Sequence, residues 1–177
     1  MKTLKQQRGV TLVEAAIVMA VLGIVTTSAA PGMTDMLDGR RLDGVASQLA
    51  TDIHYVRSEA VARNQPVRLS FYASAEASCW VIHTGLSAQC ACPSAGPAQC
   101  SGDAEQIKTV SLPATQRVSV QANVTSMLFD PLHGTSTPTG TLRVLGSQGR
   151  AVHHVVNVMG RLRSCSPLNS MPAYRAC

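Results

Sequence analysis

Four cysteines and a histidine are the residues of this chain most densely placed for sulfur or metal chemistry. They are Cys79, His83, Cys90, Cys92 and Cys100. Thiolates and an imidazole at such spacing could hold zinc. In an exported domain, where the compartment is oxidising, disulfides are by far the better explanation. We therefore expect disulfides and no metal, in a disulfide-pinned loop over residues 79–100.

Two further cysteines stand at the end of the chain. Cys165 and Cys177 are separated by 11 residues. A disulfide between them could attach the C-terminal tail to the last strand. Six cysteines allow 15 pairings, and the sequence does not choose among them. We favour the pair Cys165–Cys177 and leave the partners inside the 79–100 loop open.

The basic residues gather in the C-terminal third. Residues 106–177 carry seven basic residues and one acid, a balance of +6, whereas residues 10–105 have a balance of −4. Arg161 and Arg163, which follow Gly160, are two apart and project from one face if they lie on a strand. A guanidinium donates two parallel hydrogen bonds to phosphate, so this pair suits a phosphate-bearing ligand. Three arginines could extend the surface: Arg143, Arg150 and Arg175. The alternative is a solvated basic strand that aids solubility or meets an acidic neighbour.

A single acid, Glu14, lies near the start of the apolar run of residues 10–30. A charge in mid-bilayer costs about 2.5–3.5 kcal/mol of insertion free energy, and each Val, Leu or Ile contributes a favourable free energy of about 0.3–0.6 kcal/mol. A secretory signal peptide and an ordinary membrane anchor both fit the run, which is long enough to span a bilayer. Neither explains Glu14, which needs a partner.

Catalytic motifs are missing from the sequence. It contains no G-x-S-x-G, no H-E-x-x-H and no phosphate-binding glycine loop ending in Lys-Ser or Lys-Thr. His153 and His154 would point to opposite faces of a strand, so one should pack and the other be solvated. We expect no enzyme, no catalytic residues and no cofactor.

The elements that position these residues follow from the periodicity. Pro31-Gly32 should kink or locally melt the first helix. Residues 31–64 predict an amphipathic helix ended by Asn64-Gln65-Pro66. Residues 65–177 contain short β-branched runs between turns, which predicts a β-rich head. The fold class is α+β, a long N-terminal helix packed on an antiparallel β-domain. Its apolar helical stripe is Leu42, Val45, Leu49, Ile53, Val56 and Ala60.

The N-terminus resembles the processing signal of type IV prepilins and type II secretion pseudopilins. The matching residues are Arg8-Gly9, Val10, Thr11, Leu12, Val13, Glu14 and Pro31, with Val10 where the family usually has Phe. The resemblance implies a leader of residues 1–9, cut after Gly9 by a prepilin peptidase, and N-methylation of Val10. It also implies a lollipop-shaped pilin fold, and it supplies the partner of Glu14, the terminal amine of a neighbouring subunit.

Three later segments narrow the resemblance to FimT/GspH-type minor pilins. They are RSEAVARNQPVRL (57–69), FDPLHGTSTPTGTLRV (129–144) and GRLRSC (160–165), in which GRLR resembles an element whose arginines contact DNA. The resemblance implies a minor type IV pilin that acts in pilus biogenesis and in DNA capture. The alternative is a GspH-like pseudopilin of type II secretion. The implied partners are major and minor pilins or pseudopilins, inner-membrane lipid and DNA. The implied location is the inner membrane, with a single pass and a periplasmic head, before assembly into a filament.

Overall fold

The computed structural model describes residues 11–93 and 98–177, and at residues 28–31 the backbone alone. Within these residues the chain forms two compact units, divided between Leu37 and Asp38. The helix α1, Leu12–Arg63, crosses this division as 52 residues. Of the two outcomes predicted at Pro31-Gly32, a kink or local melting, the structure contradicts the melting, because the backbone there stays helical. A single proline removes only one helical hydrogen bond, and the turns on either side keep theirs.

The second unit is built on antiparallel strands, which confirms the predicted class. The strands are β1 Val67–Ala73, β2 Ala77–His83, β3 Cys90–Ala91, β4 Gln99–Cys100, β5 Gln106–Pro113, β6 Ser119–Ala122, β7 Ser126–Phe129, β8 Ser136–Thr137, β9 Gly140–Leu145, β10 Ala151–Val156 and β11 Leu162–Cys165. Five strands make the first sheet in the order β5-β2-β1-β7-β8, four make the second in the order β11-β10-β9-β6, and β3 pairs with β4. Short 3₁₀ turns occupy Ala114–Gln116, Ser147–Gly149 and Pro167–Asn169.

The apolar stripe of residues 42–60 of α1 packs on both larger sheets. Five of the six predicted stripe residues are fully buried, but Val45 is only partly buried, and Ala46 is fully buried in the same stripe. The helical repeat of 3.6 residues places Ala46, four residues after Leu42, closer to the stripe than Val45. The sheets contribute large buried side chains to this core, among them Trp80, Phe129, Leu69 and Leu142.

A smaller apolar cluster lies on the other face of the first sheet. Val81 and Cys90 are fully buried there, and Ala98 is 8% exposed. The hydroxyl of Tyr72 donates to the carbonyl of Cys90, which attaches the loop to β1. The cysteine-rich loop is therefore a second layer of the domain, and it covers a sheet face that would otherwise meet water.

Candidate functional site

The first unit presents an apolar surface that none of the described residues covers. Side chains along residues 12–27 are exposed, for example Leu12 at 86% and Ile24 at 70%. The helix is long and apolar enough to cross a membrane, with a mean hydropathy of 2.0 over its most apolar window. Such length and composition also occur in signal sequences and in core helices.

Glu14 lies in the first turn of α1, where the helix dipole favours an acid. Its backbone N–H donates to the hydroxyl of Thr11 at 3.2 Å, a local cap. Among the described residues no basic group forms an ion pair with its exposed carboxylate. The predicted cleavage site, Gly9 and Val10, lies outside the described residues.

The tight turn between β10 and β11 carries the GRLR element. The N–H of Asn157 donates to the carbonyl of Arg161 at 3.1 Å, and the N–H of Arg161 donates to the Asn157 side chain at 2.9 Å. Leu162 packs against the core, while Arg161 and Arg163 on either side of it are exposed. The two guanidinium groups therefore project away from the core.

Gly160 is a position where the turn requires glycine. Its φ is +68°, a left-handed conformation that side chains disfavour. A Cβ there would also stand 2.6 Å from the carbonyl oxygen of Gly134, closer than two such atoms can approach. The side chain of Arg57, from α1, lies against the same two glycines. This packing fixes the backbone at Gly160 and therefore the position of Arg161, the next residue.

Arg143 shares the outer face of the second sheet with Arg163. Val155 pairs with Arg163, and His153 pairs with both Cys165 and Arg143. Two strand spacings and an offset of two residues put the Cα atoms of Arg143 and Arg163 about 12 Å apart. Long arginine side chains at that separation can reach neighbouring phosphates. Burial, and then the nearby Arg143 charge, lower the pKa of His153, so it adds no positive charge at neutral pH.

The structure separates Arg150 and Arg175 from the GRLR element. Arg150 directly precedes β10, whereas the turn with Arg161 directly follows it. Seven residues of extended chain between Arg150 and Asn157 span about 23 Å. Arg175 lies beyond the other end of β11, where its carbonyl accepts from the N–H of Ser166. Arg150 and Arg175 thus lie at the opposite end of the second sheet from Arg161.

Three disulfides join the six cysteines. Cys79 bonds Cys92 and Cys90 bonds Cys100, so both bridges lie within the predicted loop. The first bridge attaches the loop to β2, and the second closes the β3–β4 hairpin. Cys165 bonds Cys177, the pair that the sequence favoured. Among the described residues no cluster of His, Cys, Asp and Glu is arranged to hold a metal ion.

Two buried histidines form pairs that resemble catalytic dyads. Ser70 Oγ lies 2.8 Å from Nε2 of His83, whose Nδ1 lies 2.7 Å from the carbonyl of Thr84. Both residues are essentially inaccessible to solvent, so no substrate reaches the hydroxyl. His154 lies 2.8 Å from Ser164 Oγ and 2.9 Å from the carbonyl of Ala46. Burial lowers the pKa of both His83 and His154, which join structural elements as neutral rings.

A polar anchor between α1 and the first sheet was not among the features predicted from the sequence. Asp52 is 1% exposed and accepts from Trp80 Nε1 at 2.8 Å and from Lys108 Nζ at 2.6 Å. One signal was available in the sequence, because Asp52 stands next to the apolar stripe residue Ile53. An acid at the edge of such a stripe points to a buried partner.

Comparisons with known proteins give related results for the two parts of the chain. A family model described as "Type II transport protein GspH" matches residues 45–160, and a model of the prokaryotic N-terminal methylation motif matches residues 4–30. The type II secretion system protein H of Xanthomonas campestris pv. campestris is 33% identical over 64 residues, which are 36% of this chain and 38% of that protein. The match therefore spans well under half of that relative. No solved structure matches the chain significantly.

Proposed function

Because the chain belongs to the GspH family of type II transport proteins, we propose that it is a minor, pilin-like subunit of a filament anchored in the inner membrane. The observation that carries this proposal is the exposed apolar surface along residues 12–27, which lies within the methylation-motif match over residues 4–30. Such a surface is stable in a bilayer or against other apolar helices, but not in water. The role is assembly with other pilins or pseudopilins rather than catalysis.

Processing is the first test of this proposal. We expect a prepilin peptidase to cut after Gly9, so the membrane-derived protein should begin at an N-methylated Val10, with the head in the periplasm. Mass spectrometry of the purified chain measures both features. A mature terminus near Pro31 would mean ordinary signal-peptide cleavage and would contradict the proposal.

Glu14 is the second test. Its carboxylate is exposed at the start of α1, and we propose that the terminal amine of a neighbouring subunit neutralises it. Glu14→Gln should leave membrane insertion unchanged or improved, since a charge is removed from the apolar segment. Incorporation into sheared filaments should fall, and immunoblotting of the filament fraction measures it. Thr11→Val, which removes only the local hydroxyl cap, is the matched control. Normal incorporation of Glu14→Gln would contradict this role.

A direct experiment can decide whether the filament is a type II secretion pseudopilus or a type IV pilus. The name of the Xanthomonas relative favours a pseudopilin of type II secretion, whereas the FimT-like GRLR element favours a type IV pilus. Deletion of the gene should abolish either protein secretion or piliation and DNA uptake. Secretion assays and transformation frequencies on the same deletion strain distinguish the two machines.

A second candidate function, DNA capture, is favoured by the exposed arginines of the GRLR element. Arg161, Arg163 and Arg143 lie on one side of the second sheet, without an ion pair to an acid among the described residues. Large aromatic side chains are missing from this face, so base stacking contributes little and sequence preference should be weak. We propose that these arginines bind the phosphates of duplex DNA.

Fluorescence anisotropy of the full chain in uncharged detergent micelles tests DNA capture. If three phosphates are neutralised, log K should fall against log salt with a slope of about −2.7, roughly fortyfold between 50 and 200 mM salt. Arg161→Gln with Arg163→Gln should remove most binding. Arg40→Gln with Arg117→Gln makes the same charge change far from the GRLR element and should have little effect. Equal losses in both double variants would show that net charge, not this site, governs binding.

A further inference from the structure

A further arginine, Arg57 of α1, reaches the turn that carries the GRLR element. Its Nε lies 2.7 Å from the point where a Cβ on Gly134 would stand, and 3.6 Å from the corresponding point on Gly160. Because neither glycine has a side chain, the guanidinium of Arg57 lies directly against both turns. Successive Cα atoms are about 3.8 Å apart, so Nε of Arg57 is within about 9 Å of the Cα of Arg161.

Arg57 has no anionic partner within residues 11–93 and 98–177. Its side chain is partly exposed, and it forms neither an ion pair nor a hydrogen bond with any of these residues. Arg63, on the same helix, differs because it pairs with Glu59 at 2.6 Å and with Glu105 at 2.8 Å. A guanidinium has five N–H donors, and those of Arg57 therefore remain available to a ligand.

The acid of the neighbouring turn is already bound within that turn. Oδ2 of Asp130 accepts from the backbone N–H of His133 at 2.8 Å and of Leu132 at 3.1 Å, and it lies 3.0 Å from His133 Nδ1. The bond from the backbone N–H of His133 is the main reason why the pKa of Asp130 is below its usual value. The carboxylate of Asp130 is therefore ionised at neutral pH without neutralising Arg57.

Arg57 extends the arginine surface around the end of the second sheet. Arg143 and Arg163 lie on the outer face of that sheet, and α1 packs on its inner face. Arg161 lies on the turn between the two faces. Duplex DNA carries one charge per about 1.7 Å of its axis, so cations separated by about 9 Å meet different phosphates.

We propose that Arg57 is a fourth phosphate-binding residue of the DNA surface, beside Arg161, Arg163 and Arg143. This inference rests on the DNA capture proposed above, and it adds a contact from α1 that the GRLR element does not contain. The bound duplex contacts the outer face of the second sheet, the turn between β10 and β11, and α1. The two glycines leave the space in which the guanidinium of Arg57 reaches that duplex.

The salt dependence of duplex binding tests this role, with the full chain in uncharged detergent micelles. Four neutralised phosphates give a slope of log K against log salt of about −3.6, roughly 150-fold between 50 and 200 mM salt. Arg57→Gln should make the slope shallower by about 0.9. If the contact acts through counterion release alone, affinity falls about 15-fold at 50 mM salt but only about fourfold at 200 mM.

A purely structural role of Arg57 gives a different result. If Arg57 only packs against the glycines, Arg57→Gln distorts the turn and lowers affinity by the same factor at every salt concentration. An unchanged slope would therefore overturn the proposal. Arg57→Lys retains the charge and should keep the wild-type slope, so a slope as shallow as that of Arg57→Gln would also contradict it.

Asp130→Asn tests the same location while Arg57 stays in place. It removes the ionised acid from the neighbouring turn and keeps an oxygen that accepts from the backbone N–H groups. Binding should strengthen, and most at low salt, because the negative charge no longer repels the phosphates. Equal affinity of Asp130→Asn and the unsubstituted chain at low salt would place the duplex away from Arg57 and overturn the proposal.

Arg63→Gln is the matched control. It makes the same charge change on the same helix, but its guanidinium already has two carboxylates, so the slope should stay at the wild-type value. Equal shallowing in Arg57→Gln and Arg63→Gln would show that net charge governs binding and would overturn the specific contact. Urea unfolding followed by the fluorescence of Trp80, the single tryptophan, reports that each variant is folded.

The outcomes separate this inference from the function on which it rests. If the unsubstituted chain does not bind duplex DNA even at low salt, DNA capture itself is contradicted. If the unsubstituted chain binds and Arg57→Gln binds with the same slope, DNA capture stands and only the role of Arg57 is overturned.

Discussion

Trp80 donates its indole N–H to the carboxylate of Asp52 across a distance of 2.8 Å, and this bond joins α1 to the first sheet inside the core. Lys108 supplies the countercharge at 2.6 Å from the other carboxylate oxygen. The bond fixes which turn of the helix faces β2, because only one residue of the stripe region carries an acceptor that Trp80 reaches.

Asp52→Ala should therefore destabilise the protein by about 2–4 kcal/mol, since it leaves a buried N–H and a lysine without their acceptor. Asp52→Asn retains an oxygen for Trp80 and should cost less. Trp80 is the single tryptophan, so its fluorescence during urea unfolding measures both variants. Equal stability of wild type and Asp52→Ala would contradict the anchoring role.

Two buried histidines should make stability depend on pH. Burial lowers the pKa of His83 and of His154, so the unfolded chain binds protons that the folded chain does not. Their contribution is fully present above pH 6.5, the usual histidine pKa, and is lost as pH falls through the lowered values. The slope should reach at most about 1.4 kcal/mol per pH unit for each histidine.

Urea unfolding at several pH values between 4.5 and 8 measures this slope. A His154→Gln variant should show a shallower slope below pH 6.5, although it is less stable at neutral pH. His54 is exposed, so His54→Gln is the matched control and should keep the wild-type slope. An unchanged slope in His154→Gln would assign the acid sensitivity to other groups.

Gly160→Ala should distort the turn that carries the GRLR element. The substitution combines a positive φ with a 2.6 Å approach to the carbonyl of Gly134, and we expect a loss of about 2–3 kcal/mol. Gly149 has a similar φ of +71° but open space around it, so Gly149→Ala isolates the backbone cost of about 1 kcal/mol. Thermal unfolding compares the two. Equal losses would mean that the contact with Gly134 relaxes freely.

The terminal disulfide should contribute measurable stability. The disulfide between Cys165 and Cys177 closes a loop whose ends have a sequence separation of 12. For a loop near this length, the chain-entropy model gives a stabilisation of about 3 kcal/mol. Replacing both by Ser should release the tail and weaken the hydrogen bond that the hydroxyl of Tyr174 donates to Asp43 at 2.8 Å. Peptide mapping without reduction should recover the three bridges, and urea unfolding of the double variant measures the loss. Free thiols at 165 and 177 in exported protein would contradict the pairing.

Much of this architecture could be predicted from local patterns. The apolar run with Glu14, the helical stripe of residues 42–60 and the alternation of short strands all depend on residues close in sequence. Their periods follow directly from backbone geometry. The same locality left a kink and local melting as alternatives at Pro31-Gly32, because a breaker motif does not report how strongly the neighbouring turns hold the helix.

Only the tertiary structure decided which distant residues share a surface. The sequence alone placed all the C-terminal arginines in one basic third, but the direction of β10 carries Arg150 to one end of the second sheet and Arg161 to the other. The bond between Asp52 and Trp80 and the cover formed by the cysteine loop likewise join segments far apart in sequence. Strand order and register determine such contacts, and they depend on the packing of the whole domain rather than on any short stretch of residues.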